Sequence, residues 1–182
     1  MRPTRSTPPT DPFERLRAET RKRIDRFGFT KLMIGSGACT IPGCDCEPEP
    51  HSYTYTLGMC DHDSPEFVTF GFPMSQVSSV VDTVCQNVMR GREAPIGRDH
   101  RIGLGSGPTV AFVAVPDRWL EVDPNRVGSW FDLYAPRIPT FVQICWSDDA
   151  GNMPWEPACN PAVTALQPLL ADDPVGVPQH TM

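Results

Sequence analysis

Four cysteines, Cys39, Cys44, Cys46 and Cys60, fall close together with His51 among them, in a stretch that also holds Gly43, Asp45, Glu47, Pro48, Glu49 and Pro50. Such neighbours cannot build an apolar core, so these thiols are not the small buried hydrophobes that cysteine usually supplies. Cys39, Cys44, Cys46 and His51 together offer three thiols and an imidazole, a donor set that suits a tetrahedral zinc ion. Pro42-Gly43 provides a turn between the first two thiols. The spacing departs from the usual Cys-x-x-Cys knuckle, and Cys60 or His62 are alternatives to His51 as fourth ligand. Asp45, Glu47 and Glu49 disfavour ionised thiols unless a cation is present. A closed ligand set points to structural zinc, since a catalytic ion keeps one position open. A disulfide or redox pair, and loop cysteines with no role, are the open alternatives.

A second constellation is Cys60-Asp61-His62-Asp63 with Glu66 beyond it. Imidazole titrates near neutral pH, and an adjacent carboxylate can orient it for acid/base work. His62, Glu66 and Asp63 are therefore the candidate catalytic residues, against the plainer expectation of a hydrogen-bonded polar turn. Gly103-Leu-Gly-Ser-Gly107 lacks the Gly-Lys-Ser/Thr ending of a phosphate loop and the spacing of a dinucleotide fingerprint, so it predicts a hairpin. Neither Ser36 nor Ser106 stands in a nucleophile elbow. Trp119, Trp130, Trp146 and Trp155 crowd the C-terminal half. Trp130 and Trp146 are expected in the core, and Trp155, between prolines, is expected as an exposed recognition residue.

These groups must be positioned by one domain, which 182 residues can build. Apolar content of 40% and charged content of 21% are ordinary for a globular chain. No apolar run reaches the length of a membrane span, and the basic start has no apolar stretch behind it, so no secretory leader is expected. The chain is therefore expected in the cytoplasm, where thiols stay reduced and clustered cysteines favour metal or redox roles over structural bridges. The net charge of −6 is uneven: residues 1–31 hold nine Lys/Arg and four acids, the remainder seven and eighteen. Arg15, Arg17, Arg21, Lys22, Arg23 and Arg26, within residues 15–26, make nucleic acid a possible partner.

Residues 1–10 are expected to be disordered and residues 173–182 a flexible tail, with a single α+β domain over 11–172. Asp11, Pro12 and Glu14 announce a helix, Phe13, Leu16, Thr20, Ile24 and Phe27 form its apolar stripe, and Gly28 ends it. Strands are expected at 29–34, 53–58, 66–72, 100–104, 109–115 and 140–146, the second and third as a hairpin. Val77, Val80, Val81, Val84, Cys85, Val88 and Met89 recur at helical spacing before Gly91. Cys85 and Cys145 are expected in the core. Ser129 caps a short helical turn through Tyr134, and a last helix runs from about Pro161 to Leu170. Paired strands with helices outside the pairing predict a mostly antiparallel sheet with flanking helices and a Cys-rich loop.

Two stretches carry a resemblance. Tyr53-Thr-Tyr-Thr-Leu-Gly-Met-Cys-Asp-His-Asp-Ser-Pro-Glu-Phe-Val-Thr-Phe-Gly-Phe-Pro73 and Gln143-Ile-Cys-Trp-Ser-Asp-Asp-Ala-Gly-Asn-Met-Pro-Trp-Glu-Pro157 resemble the bacterial domain-of-unknown-function family numbered four-two-six-two. Tyr55, Thr56, Gly58, His62, Pro65, Glu66, Gln143, Trp146, Asp148, Gly151, Pro154 and Trp155 match its pattern, while Leu57-Gly58-Met59 and Ser147 depart from it. The resemblance implies no activity. It implies that His62, Glu66, Gln143, Asp148 and Trp155 line one shared site, with Gln143, Asp148 and Trp155 as ligand-binding candidates. The expectation is a small cytoplasmic binding or regulatory protein with a zinc-stabilised cysteine loop and a polar-aromatic cleft for a protein or small-molecule ligand. Rivals are a hydrolase or transferase using His62, and a nucleic-acid-associated protein.

Overall fold

The computed structural model describes residues 12–37, 51–72, 74–92, 94–105, 107–119, 133, 134, 137 and 139–171. The expected N-terminal arm, the C-terminal tail, Cys39, Cys44, Cys46, Ser129 and Trp130 lie outside the described residues. The first helix, α1, spans Pro12–Phe27. Gly28 ends it in the left-handed region (φ 83), where its N–H donates to Ile24 O at 2.7 Å. The expected apolar stripe is only half buried. Thr20 and Ile24 are buried, whereas Leu16 and Phe27 are 43% and 57% exposed.

Six strands follow: β1 (Thr30–Ile34), β2 (Tyr53–Leu57), β3 (Glu66–Phe70), β4 (Arg101–Gly103), β5 (Thr109–Ala114) and β6 (Phe141–Trp146). They form one sheet in the order β1-β2-β3-β6-β5-β4. β2 and β3 pair as the expected hairpin, with Tyr55 opposite Val68 and a 3-10 turn over Met59–His62 in the connection. β4 and β5 form a hairpin around the glycine-rich segment. The central pair, β3 with β6, is parallel, with Glu66 beside Phe141 and Val68 beside Gln143. All other neighbours are antiparallel. The result is a single α+β domain.

Helix α2 (Met74–Met89) lays Val77, Val80, Val81, Val84 and Cys85 onto Phe67, Phe112, Val142, Ile144 and Trp146 of the sheet. The opposite face gathers Tyr53, Tyr55, Leu57, Val68, Phe70 and Phe141 beneath Ile24 of α1, Trp119 and Leu170. Each large apolar side chain removed from water in this way contributes about 1.5–3 kcal/mol. Cys85 is fully buried in the first of these layers, and Cys145 is fully buried with Ala111, Val113 and Met153.

The last helix, α3, is shorter than expected, Pro161–Leu166. Asn160 caps it, Oδ1 accepting from Ala162 N at 3.0 Å. Pro168 disfavours helical geometry at the residue before it, and Gln167 sits at φ −122, ψ 79. Its side chain then does a strand's work. Oε1 accepts from Trp146 N and Nε2 donates to Trp146 O, both at 2.9 Å. The β3 ladder to β6 stops at Val68 and Gln143, so this amide pairs β6 backbone beyond the reach of that ladder.

Candidate functional site

Glu66 opens β3 with its side chain fully buried. Oε2 accepts from Thr56 Oγ1 at 2.6 Å, and Oε1 accepts from Gly58 N at 2.9 Å and Cys60 N at 3.2 Å. Thr56 Oγ1 in turn accepts from Phe67 N at 2.8 Å. The carboxylate thereby clamps the start of the 3-10 turn to both strands of the hairpin. Neither His62 nor Asp63 bonds to it. His62 is exposed, with Nε2 3.0 Å from Gly28 O, so its imidazole closes the carbonyl end of α1. Asp63 is exposed and follows the turn in the left-handed region (φ 54). Within this turn Asp61 is held by Arg137 Nη1 at 3.4 Å and Tyr134 Oη at 3.3 Å.

Cys60 is half-buried in the same turn. Burial first, then the nearby charges of Glu66 and Asp61, push its thiol up to about 12. His51 is half-buried, two residues before β2. Among the described residues no group of three His, Cys, Asp or Glu side chains converges to hold a metal ion. The other three cysteine candidates lie outside that description.

The C-terminal motif residues are also fasteners. Gln143 is buried, Nε2 donating to Pro168 O at 2.8 Å and Oε1 accepting from Leu170 N at 2.9 Å. Trp146 Nε1 donates to Phe70 O at 2.9 Å. Asp148 gathers a loop: Oδ1 accepts from Ala150 N and Asn152 N, and Oδ2 from Asn160 N at 2.9 Å. Those amides, that of Asn160 foremost, hold its carboxyl below the ordinary carboxylate range. Glu156 is lowered likewise, chiefly by the paired bonds from Arg101 at 2.7 and 3.2 Å. Trp155, expected to be exposed, is half-buried against the Ala111, Val113, Cys145 and Met153 cluster, with the Arg98 guanidinium 5.4 Å from its ring centre.

These groups do not form one cleft. Glu66 stands beside Phe141 at the start of β6, and Asp148 follows Trp146 at its end. Five steps at about 3.3 Å per residue separate those ends by roughly 17 Å. His62 lines a concavity of about 510 Å³ with Asp63, Ser64 and Arg92, and Trp155 lines another of about 520 Å³ with Pro154 and Pro161. The parallel β3–β6 pairing sets this division, and a motif read along the chain does not contain it.

Sequence reasoning missed a third feature. A groove of about 760 Å³ lies between the C-terminal ends of α1 and α2, floored by β1. Phe27, Met33 and Met89 line it at 57%, 43% and 38% exposure. Arg23 and Arg90 stand in the same lining, while Lys31 donates to Ser78 O and pairs with Asp82. Of the basic residues on α1, Arg21 is spent on Leu133 O and the face of Tyr134, and Arg26 stacks on Phe27. The signal was the helix stripe itself, whose last member, Phe27, is left exposed.

Fold and site together define an α+β domain whose signature side chains stitch the sheet to its loops. The chain belongs to the family described as Domain of unknown function (DUF4262), whose model matches residues 23–160. No curated protein and no solved structure shows significant similarity to it. Among the described residues no helix is long and apolar enough to cross a membrane.

Proposed function

We propose that this protein is a cytoplasmic binding domain whose ligand enters the groove between α1, β1 and α2. One observation carries the proposal. Three large apolar side chains, Phe27, Met33 and Met89, are exposed together around a single concavity, where burying them would be favourable. The motif polar groups support the same reading from the other side, because both oxygens of Glu66 and both ends of the Gln143 amide are occupied within the fold. The acid/base pairing expected of His62 with Glu66 or Asp63 has no support in the hydrogen bonds, since the partner of its Nε2 is the Gly28 carbonyl and Glu66 is engaged by Thr56, Gly58 and Cys60. Free thiols at Cys60, Cys85 and Cys159 suit a reducing compartment. A zinc ion on Cys39, Cys44, Cys46 and His51 remains part of the proposal on the strength of their donor types and closeness along the chain.

An environment-sensitive naphthalene-sulfonate dye tests the groove. Saturable one-to-one binding is expected, lost in the Met33→Ser, Met89→Ser double variant and kept in His62→Ala and Trp155→Ala. Dye binding indifferent to the two methionines would refute the groove, and loss on His62→Ala would move the site to the His62 concavity.

A further inference from the structure

Resting on the groove reading, we propose that its occupant is an acidic peptide segment of another protein. Apolar side chains of that segment seat on Phe27, Met33 and Met89, and its carboxylates reach Arg23 and Arg90. The charge pattern selects acid. Asp82 is the only carboxylate in the lining among the described residues, and Lys31 already neutralises it at 2.5 Å. Arg23 and Arg90 are exposed, and among the described residues neither enters an ion pair. A guanidinium offers a planar pair of donors that matches a carboxylate. The body that carries this basic groove is otherwise acidic, so a partner segment that fits here is repelled from most of the remaining surface.

The apolar chemistry selects a peptide. Methionines are unbranched and adapt to varied side chains, as at promiscuous peptide-binding surfaces. Single-stranded nucleic acid is held by successive aromatic platforms, and among the described residues Phe27 is the one exposed aromatic here, already stacked under Arg26. A bilayer is engaged by a convex or flat apolar face, whereas these side chains line a concavity with helices on two sides. β1 adds a further element. It is an end strand of the sheet, with β2 as its only neighbour among the described strands, so an extended segment could add to it by main-chain hydrogen bonds.

The test uses the full chain and a fluorescein-labelled peptide of alternating Glu and Leu, read by polarisation. Saturable binding is expected, with affinity falling about tenfold or more in the Arg23→Glu, Arg90→Glu double variant and steeply with added salt. A Lys–Leu peptide should fail to bind the parent protein and gain binding to that charge-reversed variant. Equal binding of both peptides, or displacement of the Glu–Leu peptide by an oligo-thymidine strand or phosphatidylserine vesicles at lower concentration than by unlabelled peptide, would overturn the proposal. The naphthalene-sulfonate dye separates the two failures. If dye binding still depends on Met33 and Met89 while charge has no effect, the acidic partner falls and the groove stands; if it does not, the groove itself falls. Circular dichroism of the double variant, expected to match the parent, shows that the loss is not unfolding.

Discussion

Replacing Glu66 separates a structural carboxylate from a catalytic one. In Glu66→Ala three donors, Thr56 Oγ1, Gly58 N and Cys60 N, lose their acceptor in a fully buried place. Each unsatisfied buried donor costs about 1–3 kcal/mol, and partial entry of water lowers the sum, giving roughly 3–5 kcal/mol of lost stability. Glu66→Gln preserves volume, and its carbonyl oxygen still accepts from the two backbone amides. Only the bond with Thr56 must reorganise, at a cost of about 1–2 kcal/mol. The assay is urea unfolding followed by tryptophan fluorescence, with the slope checked for constancy between variants. At about 2–4 °C per kcal/mol for a chain of this size, the alanine variant should melt roughly 6–20 °C lower. A loss below about 1 kcal/mol for alanine, or equal losses for alanine and glutamine, would refute the reasoning, since the clamp would then hold nothing.

Three further outcomes follow from the same geometry. A Cβ on Gly71 (φ 59) would stand 2.5 Å from Leu166 Cβ and 2.6 Å from Leu166 O, whereas one on Gly91 (φ 77) would meet nothing within 4 Å. Both glycines carry the left-handed penalty of about 1–2 kcal/mol, so Gly71→Ala should lower the melting temperature clearly more than Gly91→Ala, and equal drops would deny the α3 contact. The lowered carboxyls of Asp148 and Glu156 make the C-terminal loop acid-sensitive. Their contribution is present above the ordinary values of 3.8 and 4.5 and is lost as pH falls through the lower folded-state values. Asp148→Asn should therefore flatten the acid limb of melting temperature against pH; an unchanged limb counts against the loop bonds. Elemental analysis of protein purified without chelator should find about one zinc per chain, removed by Cys44→Ser; metal-free folded protein ends the zinc proposal.

The elements were legible in the sequence because each had local causes. Glycines at 28 and 91 stop two helices, the valine period of α2 is unambiguous, and turn residues separate strands whose alternation is short but clean. Pro168, by contrast, cuts α3 short at Leu166, a local rule that the expected helix to about Leu170 did not take into account. The motif residues were legible as a set, but their roles were not. Glu66, Gln143 and Asp148 carry the side-chain types of a catalytic or binding site, and such types also serve as hydrogen-bond clamps.

What the sequence determined by itself was therefore the inventory: six strands, the helices α1 and α2, the family pattern and a strongly basic first helix. Tertiary structure alone decided that β3 lies parallel to β6, which sends the His62 turn and the Asp148 loop to opposite ends of the sheet. It alone left Phe27 without a core to enter and set it beside Met33 and Met89. Local propensity depends on neighbours along the chain, and those are written in order. Strand pairing and the meeting of distant side chains depend on how apolar faces are shared across the whole fold, and no single segment records that choice.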